Sequence, residues 1–203
     1  MRIEDALSQL RTIQNQVDRT EAYCCYRAAT VAVSGLIAIG AAAVQSSWVE
    51  SPIANPQEYL RLWVGVAAVS IGIISVEIFV RWLRNESERQ RQRTIAAVRQ
   101  FLPCVIAGAL VTWAIIRACP EHAALFPAIW AIMVSMGIFS SATCLPTGGA
   151  AVGAYYLLAG LACITFGHGA YALSPWTMAV TFGVGQLLAA VMLCRQENIN
   201  AAA

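Results

Sequence analysis

Apolar residues along this chain arrive in six blocks, at 28–49, 60–83, 99–118, 122–143, 149–168 and 175–194, separated by short polar or Pro/Gly connections. Each block is close to the roughly 20 residues that carry an α-helix across a ~30 Å hydrocarbon layer. Backbone amides inside lipid must pair within the segment, and runs of this length are too long and too uniformly apolar for the ~10-residue alternating strands of a membrane barrel. The expected fold is all-α, a polytopic bundle of six transmembrane helices over 27–195, with a cytoplasmic helix over 1–26 before it and a short cytoplasmic tail over 196–203.

The stretch before the first block has a different period. Ile3, Leu7, Leu10, Ile13 and Val17 recur at steps of four, three, three and four, which places them on one stripe of an amphipathic helix. Arg2, Arg11 and Arg19 are balanced there by Glu4, Asp5 and Asp18, with no aromatic anchor before Tyr23, so this stripe suits a protein surface better than anionic lipid. It also lacks the basic-then-apolar layout of a secretory signal. Continuity with the first span and a turn near Arg19 and Thr20 are both compatible with the sequence.

Local signals refine the blocks. Ser87 with Gln90 resembles a capping box that restarts a helix into the third span. Pro103 and Pro127 are expected to kink spans three and four, whereas Pro120 and Pro175 fit helix starts, the latter behind a Ser174 cap. The even-numbered spans share a V-[ST]-x-G-[IV] pattern at Val69–Ile73, Val134–Ile138 and Val180–Val184, which would make the bundle three helical hairpins of one design. The same residues are also the ordinary vocabulary of packed membrane helices.

Composition agrees with a lipid solvent: 59% of the residues are hydrophobic and 12% charged, against roughly one quarter charged in soluble domains. All 13 basic residues are arginine. Arg2, Arg11, Arg19, Arg27, Arg81, Arg84, Arg89, Arg91, Arg93, Arg99 and Arg195 flank one side of the bundle and only Arg61 and Arg117 the other, so the positive-inside rule puts both termini in the cytoplasm of a bacterial inner membrane. Trp48, Trp63, Tyr171 and Trp176 are expected at the outer interface, and Tyr23, Tyr26 and Trp82 at the inner one.

Candidate chemistry is sparse. Small residues mark helix-packing seams, at Gly65 and Gly72 in span two, Gly137 in span four, Gly149, Gly153, Gly160 and Gly167 in span five, and Gly183 in span six, with a subunit interface as the alternative use. Glu77 is the one carboxylate clearly inside a span, with Arg81 four residues on as its expected partner. Gln186, Ser70, Ser135 and Thr181 are the polar intramembrane groups; they serve either as glue between helices or as the lining of a solute path. Arg84, Arg89, Arg91 and Arg93 form a basic cluster suited to anionic phospholipid or a protein partner, and too short and poor in aromatics for nucleic acid.

Cys119, His122 and His168 fall at the outer ends of spans three to five, where imidazole and thiolate could hold a transition metal, or two imidazoles a haem. No nucleotide-binding glycine loop, HExxH or GxSxG element occurs. The expectation is a non-catalytic membrane protein that works through helix packing as a subunit, scaffold or regulatory partner, alone or as a homo-oligomer. A small transporter or channel is the alternative, and a metal or haem site the third.

Overall fold

The computed structural model describes residues 28–49, 52–53, 55–83, 88–142, 148–167 and 169–201. The amphipathic stretch over 1–26 and the capping pair at Ser87 lie outside them. The described residues are helical throughout, and six helices are long and apolar enough to cross a membrane: Ala28–Trp48, Pro56–Val80, Thr94–Ala118, Pro120–Ser140, Gly149–Phe166 and Pro175–Arg195. This is a multi-pass helix bundle.

We number the helices α1 (Ala28–Trp48), α2 (Pro56–Leu83), α3 (Glu88–Ala118), α4 (Phe126–Ser140), α5 (Gly149–Phe166), α6 (Pro175–Met178) and α7 (Gly185–Ala201). A 3₁₀ turn at Pro120–Leu125 leads into α4, and a π segment at Ala179–Val184 joins α6 to α7. Pro175 starts α6 behind Ser174, whose hydroxyl accepts the Thr177 N–H at 3.3 Å. Pro103 lies within α3. Pro127 instead occupies the first turn of α4, where its missing donor costs no helical bond, so it marks the change from 3₁₀ to α geometry and not a mid-span kink. Gly148 caps α5 at φ 115°, a left-handed conformation open to glycine at little cost. The last helix runs on to Ala201, beyond the apolar block.

Two groups of helices make up the bundle. α1 packs against α2, α6, the π segment and α7, while α4 packs on α5 and α3 on α4; α5 and α4 then meet the π segment and α7. Outward faces are apolar, with Leu36, Ile71, Val76, Leu83, Leu110, Trp113, Leu158 and Leu161 all exposed. Apolar surface of this extent is what a hydrocarbon solvent allows and water does not. Trp48, Tyr171 and Trp176 are each more than 70% exposed at the end carrying the 49–55 and 167–174 connections, in the manner of interfacial rings.

Trp63 departs from that expectation. It is 3% exposed, and its indole N–H donates to Gln45 Oε1 at 2.8 Å while Gln45 Nε2 donates to the Leu173 carbonyl at 2.7 Å. One buried amide thus ties α1 to α2 and to the connection before α6. The tie determines the ring's position, because an indole N–H inside a bundle needs an acceptor and Gln45 presents one from the facing helix. Further bonds join neighbouring helices, among them Trp130 Nε1 to Thr112 Oγ1 at 2.8 Å and Ser135 Oγ to the Gly153 carbonyl at 2.7 Å.

Gln45→Leu removes both bonds and leaves the indole and a carbonyl unpaired, so we expect a loss of about 1–3 kcal/mol, read as a lower unfolding temperature in detergent; an unchanged transition would contradict this role. Glycine substitutions should separate by face. A Cβ at Gly160 would meet Ile132 Cγ1 at 2.8 Å and the Ala128 carbonyl at 3.1 Å, so Gly160→Ala should cost about 1–3 kcal/mol. At Gly72 nothing lies within 4 Å, and Gly72→Ala should leave the monomer's stability unchanged or raise it by about 0.5–1 kcal/mol.

Candidate functional site

Polar and aromatic groups converge where the π segment passes between α1, α2 and α5. Its sequence is Ala179-Val180-Thr181-Phe182-Gly183-Val184, and the wide turn coincides with the closest backbone approach to α1. A Cβ at Gly35 would lie 3.0 Å from the Gly183 carbonyl, and one at Gly183 would lie 2.6 Å from Ile39 Cγ1. Absence of both side chains lets the two backbones touch, the device by which membrane helices gain dispersion contact.

A π turn displaces carbonyls from the regular ladder, and such bulges recur at functional positions. Here the Tyr155 hydroxyl donates to the Val180 carbonyl at 2.5 Å. Thr181 is buried with its hydroxyl 3.7 Å from Cys163 Sγ. Phe182 packs at once against the cluster formed by Ala38, Tyr59, Trp63 and Met178 and against that of Ala131, Val152 and Tyr156, with its ring 5.8 Å from Tyr156. It joins the two groups of helices, as does Trp130 of α4, which packs on the first cluster.

Tyr59 and Tyr156 are almost wholly buried at 0% and 1% exposure, and neither phenolic oxygen has a hydrogen-bond partner among the described residues. Both belong to this joint, one on each side of Phe182. Unsatisfied hydroxyls in a low-dielectric interior are costly. The polar groups of the joint are the Tyr59, Tyr155 and Tyr156 phenols, the Cys163 thiol and the Thr181 hydroxyl, set among apolar and aromatic side chains.

The residues singled out from sequence go to several places. Gly137, Gly153 and Gly160 lie in helix contacts, where an added Cβ would meet Phe101, Phe139 and Ile132 respectively. Gly149 is half-buried in the first turn of α5, and Gly167 ends that helix by donating to the Cys163 carbonyl. Gly65 and Gly72 face open space. Ser135 donates to the Gly153 carbonyl, Thr181 lies beside Cys163, Ser70 is half-buried on α2 and Gln186 is half-buried against Gly35. Glu77 is half-buried, with Oε1 unpartnered among the described residues; the Arg81 side chain expected beside it lies outside the described ones, as do Arg84 and the side chains of Arg89 and Arg93. Arg91 places its guanidinium 4.8 Å from the centre of the Trp82 ring, a cation–π contact that closes the α2–α3 hairpin.

Of the three outer-end ligand candidates, Cys119 and His122 come together and are joined by Glu121: their donor atoms all lie within 4.8 Å of one another on an exposed turn. His168 lies outside the described residues, so the haem pairing with His122 does too.

Sequence reasoning passed over Gln45, Tyr59, Tyr155, Tyr156 and Phe182. Gln45 carried a signal, as the one amide side chain in an Ala-rich span, one turn from its end. The tyrosines gave none, because ring spacing does not reveal which phenols lose their partners. Comparison with protein-family models, with curated proteins and with solved structures found no match to this chain, so geometry and chemistry alone carry the functional reading.

Proposed function

We propose that this protein is a non-catalytic subunit of a membrane complex, acting through helix packing, and that the outward stripe of α2 receives a transmembrane helix of a partner subunit. The observation that carries this reading is the division of α2 into two faces. Tyr59, Trp63, Val66, Ser70, Ile73 and Glu77, at steps of four and three, are buried or half-buried against the bundle. Gly65, Ala68, Gly72 and Ser75 lie on the opposite face, all exposed, with open space where Cβ atoms of the two glycines would be. Lipid gives a small-residue stripe no advantage over a leucine face, whereas a second helix can approach it closely and gain dispersion contact.

The transporter alternative finds less support. Ser135 and Thr181 are engaged locally between helices, and the joint around Phe182 is filled by aromatic rings. Orientation belongs to the same proposal: a bacterial cytoplasmic membrane, both termini inside, the arginine-rich α2–α3 connection meeting anionic headgroups or a cytoplasmic partner.

Two experiments test it. A cysteine at Gly72→Cys, in native membranes and in nanodiscs, should form a specific cross-link that Leu158→Cys on the lipid face does not, and Gly65→Leu with Gly72→Leu should dissolve the complex without lowering the unfolding temperature; a linked dimer of this chain would identify the partner as a second copy. A monomeric mass in nanodiscs with no link at position 72 above the control overturns the proposal. For orientation, single-cysteine variants in intact cells should react with a membrane-impermeant maleimide at Cys119 and resist it at Cys194, both of which are exposed; the reverse pattern inverts the topology.

A further inference from the structure

Between α3 and α4 the chain turns through Cys119-Pro120-Glu121-His122. Cys119 N–H donates to the Ile115 carbonyl at 2.8 Å, ending α3, and His122 N–H donates back to the Cys119 carbonyl at 2.9 Å. Pro120, with no N–H and a fixed φ, opens the 3₁₀ turn between these two bonds. The backbone on either side of the proline is therefore set, and it presents three side chains to one region of solvent.

Those side chains are a thiol, a carboxylate and an imidazole. Their donor atoms lie within 4.8 Å of one another, and Glu121 Oε1 is already 3.4 Å from His122 Nδ1. Bonds of about 2.0–2.3 Å at tetrahedral angles hold the donors of a zinc centre roughly 3.3–3.8 Å apart. Closing from the observed spread needs only side-chain rotation on an exposed turn, with no backbone rearrangement. Three protein ligands of mixed S, N and O character, with a fourth position left to water, make a donor set that zinc and its neighbours in the first transition row accept.

We infer that Cys119 Sγ, a carboxylate oxygen of Glu121 and a ring nitrogen of His122 bind one divalent transition-metal ion of the zinc class. Binding links the end of α3 to the start of the 3₁₀ turn and leaves the water-bearing position facing the medium. This inference is independent of the α2 docking face, which lies on another helix.

The test uses the full-length chain purified in detergent under reducing conditions, titrated with cobalt(II) as a spectroscopic probe and then with zinc(II) as competitor. We expect one equivalent per chain and a thiolate-to-cobalt charge-transfer absorption that zinc abolishes. Cys119→Ser should remove the band, and His122→Ala and Glu121→Gln should each weaken binding by at least about tenfold, since loss of a direct ligand costs no less than loss of a supporting group. Circular dichroism of each variant confirms that the helices persist. Cys104→Ser, Cys163→Ser and Cys194→Ser should bind as the unaltered chain does. A missing thiolate band with no stoichiometric zinc uptake, or a band that survives Cys119→Ser, overturns the assignment.

Discussion

Hydrocarbon offers apolar side chains no gain for leaving it, so helices in a membrane are held together by close approach and by the few hydrogen bonds that cross between them. This constraint explains where glycine is used in the bundle. At Gly35 and Gly183 the α1 backbone and the π segment touch; at Gly160 the α5 backbone meets the Ala128 carbonyl of α4; at Gly137 and Gly153 aromatic rings lie over bare backbone. Each contact exchanges a side chain for dispersion over a wide area, and each would be lost to one methyl group. The stripe on α2 has the same small-residue composition, and no described residue lies within 4 Å of a Cβ built at Gly65 or Gly72.

Cross-helix hydrogen bonds supply what dispersion cannot, direction. Gln45 fixes α2 and the chain before α6 to α1, Thr112 fixes α4 to α3, and Ser135 fixes α5 to α4. Both halves of the bundle then meet at Phe182, in a segment whose wide turn releases a carbonyl for Tyr155 to bind. A π turn in this position is less tightly determined than an α turn, and the two phenols left without partners beside it keep the joint from being a fully satisfied core. The core is specified strongly at the Gln45 end and more loosely at its centre.

Charge has been moved to the ends. Arg91 stacks on Trp82 at the α2–α3 hairpin, and Glu121 and His122 sit on the exposed turn after α3. Glu77, half-buried within α2, is the exception among the described residues; Arg91, Glu121 and His122 lie at helix ends, where water lowers the desolvation penalty they would meet inside.

Sequence alone determined the number and nature of the spans. Six apolar blocks and the Pro175 start follow from block length and from the missing proline donor, both of which are local. The inward face of each span was not legible. A helix of a soluble protein announces its core side by an apolar stripe, but a helix with lipid outside and protein inside is apolar all round, so its periodicity carries no such label. Hence Gly72 and Gly137, alike in the shared pattern, end on an open face and under Phe101, and Trp63, which has an interfacial composition around it, is drawn inward by Gln45. Only the tertiary arrangement, which fixes neighbours at close range, could decide those positions and the π turn.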